Sequence, residues 1–515
     1  MIKNFKWLFL VSLTFVACNN NDDVTIDANS SDGLPLTSGS ADFSKFVSLG
    51  NSLTSGYSDG ALFIEGQKGA YPALLAEQFA LVGGGSFSTP FMADNVGGFK
   101  VGGTVASGPR MYFNGSAPVS VSGTPSTEIL NHLTGPFNNM GVPGAKSFHL
   151  LSNTYGSPAG IGSYANPYFV RFASTSSATI LGDAVAQNPT FFSLWIGNND
   201  VLSYATSGGT GVNQTGNTNP ATYGANDITD PTTFASVYST IVNGLTANGA
   251  KGVVANIPYV TSVPFFTTVP TNPIPGLPAA SAAQLNQLFG AINQITTAIG
   301  QPSRFVTIVA DDNNSATVES NPLLIVDESL PNLSAYITGA LTPSLGATTA
   351  AYVGNLYGRA RHAKNTGARD YILLTAQSVI GTTQSGAVAP FNTVGVSYPM
   401  QDSTTLTAAE TAEVVTATDA YNSSIQSIAT AKGLAFVNAN SVMAQVANGG
   451  VSYNGFNMTS TYVTGNAFSL DGVHPSPKGY ALIANKFIEA INAKYGSNLK
   501  GPDLGNYRVL FPASL

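Results

Sequence analysis

The fold of this chain is decided by the stretch Phe46-Val47-Ser48-Leu49-Gly50-Asn51-Ser52-Leu53-Thr54. Its apolar start predicts a buried strand, and the glycine that follows ends that strand. Ser52 then begins a helix, so its side chain should face the crevice at the carboxyl edge of a sheet. The helix start also offers free backbone N–H groups and a partial positive charge. An ordinary helix-capping serine gives the same pattern, so the stretch indicates a nucleophile only together with a base.

The rest of the chain repeats the order of apolar strand, polar turn and helix. This order predicts a parallel sheet with helices on both faces. Further strands are predicted at 190–196, 252–257 and 434–437. Helices are predicted at 71–81, 145–151, 178–187, 234–247, 282–299, 408–431 and 477–495. Residues 83–125 are rich in Gly, Ser and Pro, which predicts loops or short hairpins.

A second stretch, Asp471-Gly472-Val473-His474-Pro475, offers a base for the serine. Acyl transfer by serine needs a group that takes its proton, a carboxylate that orients this base, and donors for the oxyanion. His474 has a carboxylate three residues earlier, although this spacing is also typical of a polar turn. The remaining histidines lack such a carboxylate and are interpreted as structural or surface residues: His132, His149 and His362.

Two further residues can donate hydrogen bonds to an oxyanion. Gly144 can present its backbone N–H with no side chain in the way. Asn199 can offer the N–H of its side-chain amide. A turn glycine and a helix cap are the ordinary interpretations of the same two residues.

Composition excludes several classes of partner and cofactor. Charged residues make up only 9% of the chain, the net charge is −7, and no long Lys/Arg run exists, so we expect no nucleic-acid partner. Cys18 is the single cysteine, which excludes a disulfide within the chain and a thiolate zinc cluster. We expect no cofactor and no catalytic metal.

The N-terminus is typical of an exported lipoprotein. A basic start precedes the apolar run 7–17, which is too short to span a membrane, so residues 1–17 are predicted to be a signal peptide. Phe15-Val16-Ala17-Cys18 resembles a bacterial lipobox, in which the cysteine receives a fatty acyl anchor such as palmitate. Residues 18–40 are predicted to be a flexible tether. The expected location is the bacterial cell envelope, anchored in the outer membrane and facing the periplasm or the surface. A plain secretory signal with an incidental cysteine is the alternative.

Four blocks of the chain, in order, resemble those of the SGNH (GDSL-type) esterase and lipase family. The blocks are Gly50-Asn51-Ser52-Leu53, Asn139-x-Gly141-x-x-Gly144, Gly197-Asn198-Asn199-Asp200 and Asp471-x-x-His474. The resemblance covers about 46–200 and 405–495. It implies an α/β fold, a flavodoxin-like three-layer α/β/α sandwich with a parallel sheet, here with a large insertion.

The same resemblance implies a role for each residue. Ser52 would be the nucleophile, His474 the base, and Asp471 the carboxylate that orients the base. The oxyanion hole would consist of the Ser52 N–H, the Gly144 N–H and the Asn199 amide. The implied activity is that of a carboxylic ester hydrolase.

The chain departs from the family pattern in three places. Asn51 stands where the family usually has Asp, and Asn198 replaces a glycine of the third block. About 270 residues separate Asn199 from Asp471, whereas two βα units need roughly 60–80. The predicted organisation is therefore a discontinuous hydrolase domain at 41–261 and 405–495, an insertion at 262–404 that forms a lid or substrate wall, and a C-terminal tail at 496–515.

Other chemistries find less support in the sequence. There is no Gly-x-Ser-x-Gly elbow of the α/β-hydrolase type. Ser497-x-x-Lys500 has the spacing of a serine/lysine pair but no supporting motif. Asp311-Asp312-Asn313-Asn314 lacks the ligand spacing of a calcium loop.

The leading hypothesis is hydrolysis of a small-molecule, glycan or lipid ester through an acyl-Ser52 intermediate. The alternative is a surface lipoprotein that binds glycans or lipids without turnover. In both, the lipid anchor makes the only membrane contact.

Overall fold

The structure is a computed structural model that describes residues 27–314 and 316–515. The predicted signal peptide and the lipidation site at Cys18 lie outside the described residues. Among the described helices, none combines the length and the apolar character needed to cross a bilayer.

A sheet of five parallel strands forms the centre of the molecule. The strands are β1 (Phe46–Gly50), β2 (Asn139–Gly141), β3 (Phe191–Trp195), β4 (Lys251–Ala255) and β5 (Ala435–Val437). They are hydrogen-bonded in the order β5-β4-β3-β1-β2. Every residue of β1 and β3 is buried, as expected for parallel strands that are covered on both faces. Four of these strands match the sequence prediction. The exception is β2, which is only three residues long and ends in glycine.

Two groups of helices flank this sheet, so the mixed α/β class with a parallel sheet is confirmed. The helices of the described residues that carry the argument below are α1 (Ser52–Ser55), α2 (Tyr71–Ala80), α3 (Ile180–Val185), α4 (Asn199–Thr206), α5 (Pro231–Thr246), α6 (Ala408–Ala431), α7 (Ala439–Ala447) and α8 (Pro477–Tyr495). Two further short helices are Ile64–Lys68 and Pro167–Val170. Helix α2 packs against α8, while α5 packs against both α3 and α6. The bounds of α6 and α8 agree with the predicted ranges. The predicted helix at 145–151 is instead the 3₁₀ turn Ser147–Leu151.

The two longest core helices begin at strong capping signals. Thr407 and Glu410 form a capping box at the start of α6, and each side chain bonds the backbone N–H of the other. Helix α8 starts with Ser476 as its cap and Pro477 in its first turn. Its apolar stripe is buried in the main core, as its helical spacing predicts.

Residues 83–125 form two short hairpins, in agreement with the prediction. Phe99–Val101 pairs with Thr104–Ser107, and Met111–Phe113 pairs with Pro118–Ser120. Near them the Arg110 guanidinium donates to the backbone oxygen of Pro512 at 2.8 Å, which holds part of the C-terminal tail against this region.

The segment 262–404 has two apolar clusters apart from the main core. Its helices are Pro264–Thr267, Ala279–Ala298, Ser334–Leu345 and Ala347–Tyr357, and its strands are Leu324–Val326, Ala360–His362 and Tyr371–Ile372. It meets the core where Tyr371–Ile372 pairs with Thr405–Leu406. The Phe265 N–H also donates to the Gly472 oxygen at 2.9 Å, so the segment contacts the loop that carries His474. Its role as a lid or substrate wall stays a prediction.

The described part of the predicted tether lies against the end of the chain. Ser30 forms a bridge with Leu499, and the Thr37 N–H donates to Asn498 Oδ1 at 2.8 Å. The Asn498 amide in turn donates to Asp32 Oδ1 at 2.9 Å. Residues 27–40 and the start of the tail therefore stabilise each other.

Candidate active site

The carboxyl ends of three neighbouring strands place the candidate residues at one edge of the sheet. In the strand register Gly50 at the end of β1 lies between Gly141 of β2 and Trp195 of β3. A Cβ at position 50 would lie 2.5 Å from the Trp195 backbone oxygen, so only glycine fits there. Ser52 and Asn199 follow β1 and β3, where the strand order reverses and α/β sheets open a crevice.

Ser52, His474 and Asp471 form a continuous hydrogen-bonded chain. His474 Nε2 lies 2.8 Å from Ser52 Oγ, and His474 Nδ1 lies 2.8 Å from Asp471 Oδ2. Ser52 is 7% exposed, and the side chains of His474 and Asp471 are 14% and 13% exposed. The Tyr57 ring packs on the imidazole with its centroid 4.6 Å away, which fixes one face of the base. This geometry matches that of an activated nucleophile, a base and its orienting carboxylate.

His474 and several backbone donors hold Asp471 in its charged form. Burial alone would raise the pKa of Asp471, but the charge of His474 and several hydrogen bonds lower it to about 2. Oδ1 accepts from the backbone N–H groups of His474 and Val473 at 2.8 and 2.9 Å. Oδ2 accepts from the Gly60 N–H at 3.1 Å in addition to the imidazole. A carboxylate held in this way can stabilise an imidazolium that forms during reaction.

The two asparagines at which the chain departs from the SGNH-type blocks are hydrogen-bonded to each other. Asn51 Oδ1 caps helix α1 by accepting from the Leu53 N–H at 3.0 Å. Asn51 Nδ2 donates to Asn198 Oδ1 at 3.3 Å. An aspartate at position 51 could cap the helix but could not donate to that oxygen. The two departures are therefore matched to each other across 147 residues of sequence.

The predicted oxyanion donors lie at the same sheet edge as Ser52. Asn199 Nδ2 donates to the Ala145 backbone oxygen at 2.9 Å, which links α4 to the loop containing Gly144. Gly144 is exposed with a φ of +80°, and its N–H makes no hydrogen bond with any described residue. The Ser52 N–H is equally free of partners in the described chain. These donors are available to a ligand, but their use in an oxyanion hole stays a prediction.

Asp200 connects α4 to the segment that follows Gly144, a role that sequence reasoning missed. Its side chain is fully buried and accepts from the Ser147 N–H at 2.8 Å and the Ser147 hydroxyl at 2.7 Å. Burial raises the pKa of Asp200. The only sequence signal was its place directly after Asn199 in the third block.

Asp59 is a second buried carboxyl beneath the triad that the sequence did not reveal. Its N–H donates to Ser469 Oγ at 3.0 Å, and that hydroxyl donates to Asp471 Oδ1 at 3.1 Å. Its own Oδ1 accepts from the Leu470 N–H at 2.9 Å, while Oδ2 has no partner among the described residues. Burial raises the pKa of Asp59 to about 7. Asp59 thus positions the loop that carries the orienting carboxylate.

An apolar cavity of about 130 Å³, partly open to solvent, adjoins Ser52 and His474. Polar side chains line it where it begins, at Asn51, Asn198 and Asn199. The remaining wall is formed mostly by aliphatic and aromatic side chains, among them Leu53, Trp195, Val260, Val437, Val442, Met443, Val446, Phe468, Leu482, Ile483 and Phe487.

The other candidates from the sequence lie outside this arrangement. His149 Nδ1 accepts from the Lys146 N–H at 3.0 Å, and His362 Nδ1 accepts from the Val306 N–H at 2.9 Å. Burial lowers the pKa of His149 to about 3 and that of His362 to about 4. His132 contacts the Ala173 oxygen at 2.7 Å. Each of these imidazoles contacts a backbone N–H or C=O group away from Ser52 and His474.

The serine/lysine pair of the tail does not form in the structure. Ser497 Oγ donates to Asn492 Oδ1 at 2.7 Å, whereas Lys500 Nζ donates to the Ala28 oxygen at 3.1 Å. The two side chains therefore have separate partners.

Two groups of carboxylates in the described residues bring their oxygens within 4.8 Å of one another. They are Asp311, Asp312 and Glu319, and Glu328, Asp402 and Glu410. The first group is mainly exposed, and the second lies where segment 262–404 meets α6. Neither group includes a triad residue or a residue of the cavity wall.

Comparisons with protein-family models, with curated proteins and with solved structures gave no match to this chain. The site is therefore interpreted from its own geometry.

Proposed function

We propose that the protein is a serine esterase or lipase that hydrolyses carboxylic esters through an acyl-Ser52 intermediate. The observation that carries this proposal is the pair of 2.8 Å contacts from Ser52 Oγ to His474 Nε2 and from His474 Nδ1 to Asp471 Oδ2. A serine hydroxyl is a weak nucleophile unless an adjacent base takes its proton.

In the proposed reaction His474 Nε2 accepts the Ser52 proton while Oγ attacks the ester carbonyl. The free N–H groups of Ser52 and Gly144, with the Asn199 amide, then stabilise the oxyanion. Asp471 stabilises the imidazolium, which next gives its proton to the departing alcohol. A water molecule then attacks the acyl-enzyme carbonyl while His474 Nε2 accepts its proton. The imidazolium returns this proton to Ser52 Oγ as the bond between Oγ and the acyl carbon breaks, which releases the carboxylic acid.

We also infer that the chain is an SGNH-type hydrolase with flavodoxin-like layering. When the strands are numbered in sequence order, their order across the sheet is 2-1-3-4-5, which is the order of flavodoxin-like folds. The proposed nucleophile lies at the switch point of that order. Two departures from the family blocks, Asn51 and Asn198, form a hydrogen bond with each other, and neither residue belongs to the triad.

The hydrolysis of p-nitrophenyl butyrate tests the proposed activity. Ser52→Ala and His474→Ala should each lower kcat by at least about 10³-fold, because the two residues act as one unit. Ser497→Ala, the serine of the tail, is the matched control and should keep wild-type activity. Equal rates for wild type and Ser52→Ala would contradict the proposal and favour a binding protein.

We further propose that Cys18 is lipidated and anchors the protein in the outer membrane of a bacterial envelope. The lipobox-like residues before Cys18 support this proposal. Metabolic labelling with a palmitate analogue should mark the wild type but not Cys18→Ser. Protease treatment of intact cells would distinguish the periplasmic from the surface-facing orientation. Labelling of both proteins to the same extent would contradict the anchor.

A further inference from the structure

We propose that the cavity behind Ser52 holds the acyl chain of the ester, and that the preferred substrates are esters of medium-chain fatty acids of about six to eight carbons. This inference rests on the esterase function proposed above. It adds the chemical class of the substrate and assigns its recognition to helix α7.

The cavity wall has the chemistry of a hydrocarbon site. Its polar groups are confined to the end where Ser52 and His474 lie, apart from Lys486. The Lys486 ammonium is engaged with the Glu489 carboxylate at 2.9 Å. A sugar in this cavity would lose the hydrogen bonds of its hydroxyls to water without replacement, whereas an alkyl chain loses none. The wall therefore favours a fatty acyl group over a glycan.

The volume of the cavity sets the length of the chain. An engineered apolar cavity of about 150 Å³ binds benzene, a molecule of six carbons. A cavity of about 130 Å³ therefore accommodates about six methylene or methyl carbons. The ester carbonyl and the carbon next to it must stay beside Ser52, where the reaction occurs. Chains of six to eight carbons fill this space, and the additional carbons of longer chains would extend into solvent, because the cavity is partly open.

The reaction sequence indicates that the acyl chain, not the alcohol, occupies the cavity. The alcohol leaves before water attacks the acyl-enzyme, so a long alcohol in the cavity would delay the second step. The acyl group stays bound to Ser52 through both steps. Because its chain must point away from the departing oxygen, the apolar space beside Ser52 and Leu53 is available to it.

Helix α7 forms one wall of the cavity and should determine chain length. Val442, Met443 and Val446 line it from successive turns of one helix face. Met443 and Val446 are 8% and 4% exposed, so a larger side chain at either position must enter the cavity. Gln445 and Ala444 lie between them on the exposed face of the same helix.

The experiment measures kcat/KM for p-nitrophenyl esters from acetate to dodecanoate, so that only the acyl chain changes. A second series of acetate esters with alcohols of increasing length changes only the leaving group. For wild type we expect kcat/KM to rise about fourfold per methylene up to about eight carbons, since each buried CH₂ adds a similar increment of binding. Acyl chains longer than about eight carbons should give no further rise in kcat/KM, and kcat/KM should change little across the alcohol series.

Two variants of α7 should shift this profile in opposite directions. Val446→Phe fills part of the cavity and should move the optimum to four carbons or fewer. Met443→Ala enlarges the cavity and should extend the rise to longer chains, which keeps the test decisive if Val446→Phe does not fold. Gln445→Ala, on the exposed face, is the matched control and should keep the wild-type profile.

The outcomes separate this inference from the proposed function. If hydrolysis depends on Ser52 but kcat/KM does not rise with acyl length, the assignment of the cavity to the acyl chain is wrong. The proposed esterase function would still stand. A rise in the alcohol series instead of the acyl series, or unchanged profiles for both α7 variants, would overturn this assignment as well. If no ester is hydrolysed at all, the proposed function fails and this inference fails with it.

Discussion

Replacing Asp59 with asparagine should make the protein more stable above pH 7 and leave its stability at pH 5 within about 1 kcal/mol of wild type. Asp59 is 1% exposed, and its Oδ2 has no partner among the described residues. Asparagine resembles the protonated carboxyl, because its amide oxygen can still accept from the Leu470 N–H. The backbone φ of +52° at this position is one that asparagine adopts readily.

The size of the effect follows from the pKa of Asp59. Burial raises this pKa from 3.8 to about 7, so the folded protein binds the proton more tightly than the unfolded chain. The contribution of the bound proton on Asp59 to the free energy of unfolding is complete below pH 4 and is lost as the pH rises through 7. Three pH units correspond to about 4 kcal/mol in total, of which about 3 kcal/mol is lost between pH 5 and pH 8. The asparagine has no proton to lose, so the variant should avoid this loss.

Urea unfolding of both proteins at pH 5 and pH 8 measures the difference. Groups that do not interact with Asp59 titrate equally in the two proteins, so the change in their stability difference reports on Asp59 and the charges beside it. Glu65→Gln, a carboxyl-to-amide change in an exposed ion pair, is the control and should show no such change. Ester hydrolysis at pH 7 should stay within a few-fold of wild type, because the bond to Ser469 comes from the backbone of residue 59. If the variant loses as much stability as wild type between pH 5 and pH 8, the account of Asp59 is wrong.

Three further substitutions test other parts of the structure. Asp471→Asn should lower kcat by roughly 10³-fold with little change in KM, measured on p-nitrophenyl butyrate, because the imidazole loses its orienting charge. Burial and the neighbouring Glu328 raise the pKa of Glu410 to about 8, so stability falls as the pH rises toward 8. Glu410→Gln should reduce this fall in urea unfolding at pH 6 and pH 9, while Asp402, whose pKa is raised to about 7 by burial and Glu328, keeps part of it. Arg361→Met should cost about 3–5 kcal/mol in urea unfolding, because Asp370 loses both contacts of a buried ion pair. A cost below 1 kcal/mol would show that this pair is dispensable.

Elements with strong periodicity or clear end signals could be predicted from the sequence. Helix α6 begins at its capping box and α8 at its serine cap and proline, and both match the predicted ranges. Strand β1 is an apolar run that ends in glycine. Strand β2 escaped prediction because three residues carry no pattern, and its pairing with β1 provides the evidence for it.

The contact between Asp471 and His474 was within reach of the sequence, because three residues of one loop separate them. The contact between His474 and Ser52 spans 422 residues, so no local pattern predicted it; the chemistry of the two residue types and the resemblance to a family suggested it. Asp59 and Asp200 were missed because an isolated aspartate has no periodic signal. What distinguishes them is burial and their hydrogen-bond partners, which depend on the packing of segments far apart in the chain.

The sequence by itself determined the α/β class, the main strands and helices, and the residue types of a serine, histidine and aspartate site. These features depend on local interactions: side-chain periodicity, helix caps and turn residues act within a few positions. The tertiary structure alone decided the matched pair Asn51 and Asn198, the buried carboxyls beneath the triad, and the shape of the apolar cavity. Such features arise from strand register and from the packing of distant side chains, and neither is encoded in any short stretch of the chain.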